Sequence, residues 1–119
     1  MMMSNPGEIA DAVEQFKKGA LLYQHGQFMD DSKLMIAGIK MCRAAADRVD
    51  QGPEGRLALL PLLEHTDEHI QAFAATYLYR VAPEKALVVL EYLDKYRYTS
   101  AERVAWDMLR AIKRGDPAP

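Results

Sequence analysis

Cysteine is almost missing from this chain of 119 residues. The single thiol, Cys42, excludes an intramolecular disulfide and any four-cysteine metal cluster. An excess of one charge is missing as well: 15 Lys+Arg stand against 17 Asp+Glu, a formal net charge of −2 with both signs interleaved. Nucleic-acid binding needs a basic surface that neutralises several phosphates, and the bulk charge supplies none. There is no polybasic segment to hold an anionic membrane, and no segment approaches the ~20 apolar residues that span a bilayer. Met1 to Gly7 lacks the apolar run of a signal peptide, so a cytoplasmic location is expected. Sustained two-residue alternation is absent, which argues against a sheet. A Gly-rich phosphate loop is absent too; Gly52-Pro53-Glu54-Gly55 reads as a helix boundary.

What remains is helical patterning, with half of the residues hydrophobic. Ile9, Val13, Phe16, Ala20 and Tyr23 recur at helical spacing after Asn5-Pro6, and Gly26 is the expected stop. A second helix opens at Asp30-Asp31-Ser32 and carries Leu34, Met35, Gly38, Met41, Cys42, Ala45 and Val49 inward, ending at Gln51-Gly52-Pro53. A third, from Glu54 to Glu64, presents Leu57, Leu60 and Leu63, with Leu59 and Leu62 widening the face and Pro61 bending or shortening it. The fourth runs to Ala82 with Ile70, Phe73, Ala74, Tyr77 and Val81 inward. The fifth begins at Pro83 with Ala86, Leu87, Leu90 and Leu93 inward. Thr99-Ser100-Ala101-Glu102 has the form of a capping box, opening a sixth helix that buries Val104, Ala105, Met108, Leu109 and Ile112 and closes at Gly115. The expected fold is therefore all-α, one domain over residues 1–119, with residues 1–4 and 115–119 as frayed tails. Short links predict three antiparallel helical hairpins.

Residues His65, Glu68 and His69 spell H-x-x-E-H, the spacing of one class of zinc peptidases. In an unbroken helix the two imidazoles would share a face. Thr66-Asp67 argues against that, because a short side-chain oxygen there caps the first free amides of a new helix, and Glu68 then sits at its positive end. The winding is expected to break at this corner, leaving both histidines solvent-facing and no metal bound.

The stretch GPEGRLALLPLLEHTDEHIQAFAATYLYRVAPEKALVVLEYL, residues 52–93, resembles HEAT-type helical repeats, with a leucine-rich helix, an Asp-bearing corner and an alanine-rich helix. More narrowly it is similar to a HEAT-like family of small bacterial proteins catalogued as a domain of unknown function. The shared pattern falls on Gly52, Pro53, Glu54, Arg56, Leu59 to Leu63, His65, Asp67, Ala74 to Thr76, Pro83, Glu84, Ala86, Leu87 and Leu90. The match departs at Thr66, where proline is common, and at Gln71, where HEAT corners often carry the arginine of an Asp–Arg ladder. It covers the C-terminal two-thirds of the chain. The resemblance implies a right-handed α–α superhelix of stacked hairpins and says little of activity.

Candidates for chemistry are few. Cys42 lies on an apolar stripe and reads as a small hydrophobe. His25 suits the carboxyl end of a helix dipole, and no carboxylate pair stands out as acid and base. No catalytic residue, cofactor site or metal site is assigned. Ala72, Ala75 and Tyr79 point away from the stripe of the fourth helix and read best as a second packing side. Val88, Tyr92 and Tyr96 follow at four-residue spacing, nearly opposite Leu90, with Arg80, Lys85, Lys95, Arg97 and Tyr98 around them. Tyrosine with arginine is the composition of binding hot spots, while a middle helix of a repeat stack also packs on two sides, so Tyr92 and Tyr96 read equally as an interface core or as a second packed side. The candidate protein-binding surface is therefore Tyr79, Arg80, Lys85, Val88, Tyr92, Lys95, Tyr96 and Arg97. Arg103, Arg110 and Lys113, with Arg114 beside them, form a basic face suited to phosphate, to an acidic partner, or simply to solvent. The leading expectation is a non-enzymatic protein-interaction module. By analogy of size and helical class, it extends to a bacterial immunity protein that neutralises a toxin domain. Self-association through the same aromatics is a variant of it. The alternatives are a nucleic-acid-binding HEAT-like protein, disfavoured by charge and by the single tryptophan Trp106, and a metal-dependent hydrolase using His65, Glu68 and His69.

Overall fold

Pro6 sets the start of α1 (Pro6–Phe28) in the computed structural model, which describes residues 6–96 and 100–119. Proline is favoured in the first turn because its missing amide has no helical partner there. Asp31 caps α2 (Ser32–Val49), its carboxylate accepting from the amides of Lys33 and Leu34 at 3.0 and 3.3 Å. A 3-10 segment (Gly55–Glu64) follows, then α3 (Glu68–Leu78), α4 (Pro83–Lys95) and α5 (Glu102–Arg114). No strand occurs among the described residues, and the protein is all-α. The helices gather into two compact units divided between Ala58 and Leu59.

In the first unit α1 and α2 meet backbone to backbone. A Cβ on Gly38 would stand 2.6 Å from both the Gly19 carbonyl oxygen and the Tyr23 amide nitrogen, so only glycine permits the approach. Around this contact Ala12, Phe16, Ala20, Cys42, Ala45 and Ala46 are wholly buried. Gly26 was expected to stop α1, but the helix runs on to Phe28. Gly26 serves the packing instead: a Cβ there would lie 2.7 Å from the Met35 amide nitrogen. The stop falls at Asp30, whose φ of 52° is the left-handed conformation that a short polar side chain tolerates better than most. Arg56 closes the other end of α2. It is only 4% exposed, its Nε 2.9 Å from Asp50 Oδ2 and a terminal nitrogen 3.4 Å from Asp47 Oδ1.

The leucine-rich segment winds as a 3-10 helix because Pro61 has no amide to give to the fourth carbonyl back and its ring crowds that carbonyl. At three residues per turn, positions three apart eclipse. Arg56, Leu59 and Leu62 are accordingly the buried positions, whereas Leu57, expected inward, is 42% exposed and Leu60 and Leu63 are half-buried.

In the second unit α3, α4 and α5 pack on one another. Ile70, Ala72, Phe73, Ala74, Ala75, Tyr77 and Leu78 of α3 are all buried, so Ala72 and Ala75 form a second packed side as expected. The helix ends at Leu78 rather than Ala82, because Pro83 commits the next residues to a new start. Val81, expected inward, falls in that turn and is 43% exposed. The capping box expected at Thr99 lies partly outside the described residues. α5 begins at Glu102 with Ala101 at its head and no side-chain cap. Its other end is tied down: with Gly115 at φ 76°, the amides of Gly115 and Asp116 return to the carbonyls of Ile112 and Ala111 at 3.0 Å each. That is the Schellman arrangement.

Candidate functional site

The H-x-x-E-H corner is broken as the capping chemistry predicts. Asp67 heads α3, its carboxylate accepting from the amides of His69 and Ile70 at 2.9 and 3.1 Å. The ring of His65 turns onto this corner, its Nδ1 accepting from the Asp67 amide at 2.9 Å. Gln71, standing where HEAT corners carry arginine, donates its side-chain amide to the His65 carbonyl.

His69 departs from expectation. It is 2% exposed rather than solvent-facing, and its Nε2 lies 3.2 Å from Ser100 Oγ. Burial lowers its pKa below the ordinary 6.5, while the carboxylates of Asp67 and Glu68 pull it partly back up. The two imidazoles therefore have separate partners, an amide for one and a hydroxyl for the other. No group of three or more His, Cys, Asp or Glu side chains able to hold a metal occurs among the described residues. Cys42 is wholly buried, its Sγ 3.5 Å from the Phe16 carbonyl oxygen, and burial pushes the thiol up to about 12. A thiol so placed is no nucleophile near neutrality.

The aromatic stripe is a surface feature. α4 buries Ala86, Leu90 and Leu93 and turns the opposite side outward, with Val88 70%, Tyr92 55% and Tyr96 39% exposed. The tyrosine rings lean on each other at 4.8 Å between centroids, tilted by 48°, and Lys95 Nζ stands 5.5 Å from the Tyr96 ring centre. Four-residue spacing on a helix brings these side chains together. Lys85 and Lys95 are exposed beside the stripe, as is Arg80, while Tyr79 is half-buried at the end of α3. Arg97, the last member of the expected surface, lies outside the described residues.

Leu60, Pro61 and Leu63 belong to the same surface although the helical pattern did not single them out for it. They face Lys85, Val88 and Val89 across an open groove of about 450 Å³, with Glu64 at its rim. Leucines in a short apolar run read as core by default; their half-burial follows from the 3-10 winding, which turns that row off the core. The result is a continuous apolar path from the groove through Val88 to the paired tyrosines, flanked by lysines. It offers contact area and polar handles.

Comparison with known families, with curated proteins and with solved structures finds no match to this chain. Fold and surface together define an all-helical protein with an exposed apolar-aromatic helix face. No helix among the described residues is long and apolar enough to cross a membrane.

Proposed function

We propose that this chain is a non-enzymatic protein-interaction module of HEAT-like type, acting in the cytoplasm, which holds another protein against the outer face of α4. The observation that carries this reading is the exposure of Val88, Tyr92 and Tyr96 in one row that runs into the groove beside the 3-10 segment. Water is a poor neighbour for such a row. Covering a tyrosine contributes about 1–3 kcal/mol by the area estimate, and tyrosines are over-represented among residues that dominate binding. Lys85 and Lys95 at the edges supply the polar rim of an interface core. Neutralisation of a toxin domain by an immunity protein is the narrower form of the reading, supported by size and helical class alone.

A photo-reactive phenylalanine analogue placed at Tyr92 tests it in cells of the source organism. The expected result is one adduct of defined mass, absent when the same analogue replaces Lys18 on the exposed side of α1. An adduct of twice the chain's mass identifies the partner as a second copy. No adduct at position 92, or the same adducts from both positions, overturns the proposal.

A further inference from the structure

The outward side of α5 is a second feature, and it does not depend on the α4 reading. At about 100° per residue, Arg103, Trp106, Arg110, Lys113 and Arg114 fall within roughly a third of the helix circumference. Val104, Ala105 and Met108 occupy the opposite, buried side. Trp106 is the chain's one tryptophan and is 36% exposed. Guanidinium groups reach it from both neighbouring turns, Arg103 Cζ at 5.5 Å and Arg110 Cζ at 4.7 Å from the ring centre. Arg103 Nε also meets Asp107 at 3.3 Å, while among the described residues Arg110 meets no carboxylate.

Two consequences follow from this stacking. A guanidinium lying over an indole is held by the ring quadrupole, so part of its rotamer freedom is already lost. Its N–H fork lies in the guanidinium plane and stays available at the edge, in the geometry that matches a carboxylate with two hydrogen bonds. The charge is also segregated. Over α5 four cations stand against the two carboxylates of Glu102 and Asp107, a sum of +2 on a chain of formal net charge −2, and Arg114 already pairs with Asp116 at 2.9 Å.

We infer that the outer face of α5 docks an acidic segment of a partner protein. Aspartate or glutamate side chains would meet Arg103 and Arg110, with the edge of Trp106 as the apolar floor. A protein carboxylate fits better than a nucleic acid because of what already lies on the ring. Guanidinium groups already contact the indole from both turns, which leaves a base little free ring to stack on.

Trp106 makes the test direct, since it is the sole indole emitter. The full chain is titrated with an oligo-glutamate peptide at low salt while its emission is followed, with calorimetry as a second readout. The expected result is a saturable change that weakens as salt is added and is absent with oligo-lysine. Arg103→Gln/Arg110→Gln should bind roughly tenfold more weakly by calorimetry, with an unchanged thermal midpoint because both side chains lie on the surface. The inference is overturned if saturation fails, if the double variant binds equally well, or if single-stranded oligothymidylate or anionic lipid vesicles bind more tightly than the peptide.

Discussion

His69 and Gly38 carry more of this fold than their small share of the chain suggests. His69 is a polar ring in a buried place, satisfied by Ser100 and kept neutral by its surroundings. Its effect on stability has a definite sign. Well above pH 6.5 the ring is neutral in both folded and unfolded chains and costs nothing. As pH falls through about 6.5 the unfolded chain takes up a proton that the folded chain resists, so stability is lost toward acid. The urea midpoint of the wild type should therefore drop more steeply below pH 6.5 than that of His69→Gln. One such group contributes at most about 1.4 kcal/mol per pH unit. Parallel profiles for the two proteins would contradict this. Gly38 makes a purely steric prediction: Gly38→Ala drives a methyl into the backbone of α1 at 2.6 Å. Neither backbone can yield locally, so denaturant unfolding should register a loss of about 1–3 kcal/mol or more. An unchanged midpoint would mean that the helices stand further apart.

At the scale of elements, what the sequence discloses depends on whether the cause is local. Asp67 as a helix cap and Pro83 as a helix start are written in neighbouring residues, and both fall where they are expected. The 3-10 winding was harder to see. The triads Arg56/Leu59/Leu62 and Leu57/Leu60/Leu63 have the same spacing, and nothing in either distinguishes the row that turns inward. What marks the inward row is the burial of Arg56 beside Asp50 and Asp47, which come from the end of α2. Gly26 misled for a similar reason. Glycine near the end of an apolar stripe is the usual stop signal, yet its use here is set by Met35 on another helix. His69 is the same case: its buried ring meets Ser100, 31 residues further along the chain, rather than a neighbour in the corner where it is written. Asp67→Ala separates local from tertiary support. Losing the cap should cost about 1 kcal/mol and leave α3 formed, as far-ultraviolet dichroism would report. Loss of helix well beyond one turn would show that the corner, not the packing, holds α3 in place.

At the scale of the molecule, the second aromatic row on α4 was legible from its four-residue spacing, but its exposure, which separates an outward face from a second packed side, needed coordinates. The leucine side of the groove was not legible, since a run of leucines declares core in any sequence. The basic face of α5 was visible as charge, whereas the stacking of Arg103 and Arg110 on Trp106 needed coordinates. The chain thus carries two surfaces of different chemistry, one apolar-aromatic and one cationic. The central claim is that the first of these is kept for a partner rather than for folding. Its sharpest test is the Tyr92→Ala/Tyr96→Ala variant, measured twice: for folding free energy by denaturant titration, and for partner retained on co-purification from the source organism. The account predicts a stability loss of only about 1 kcal/mol, the worth of the exposed ring pair, together with loss of the partner held by the wild type. A loss of the size expected for a core substitution, or equal retention of the same partner, would contradict it.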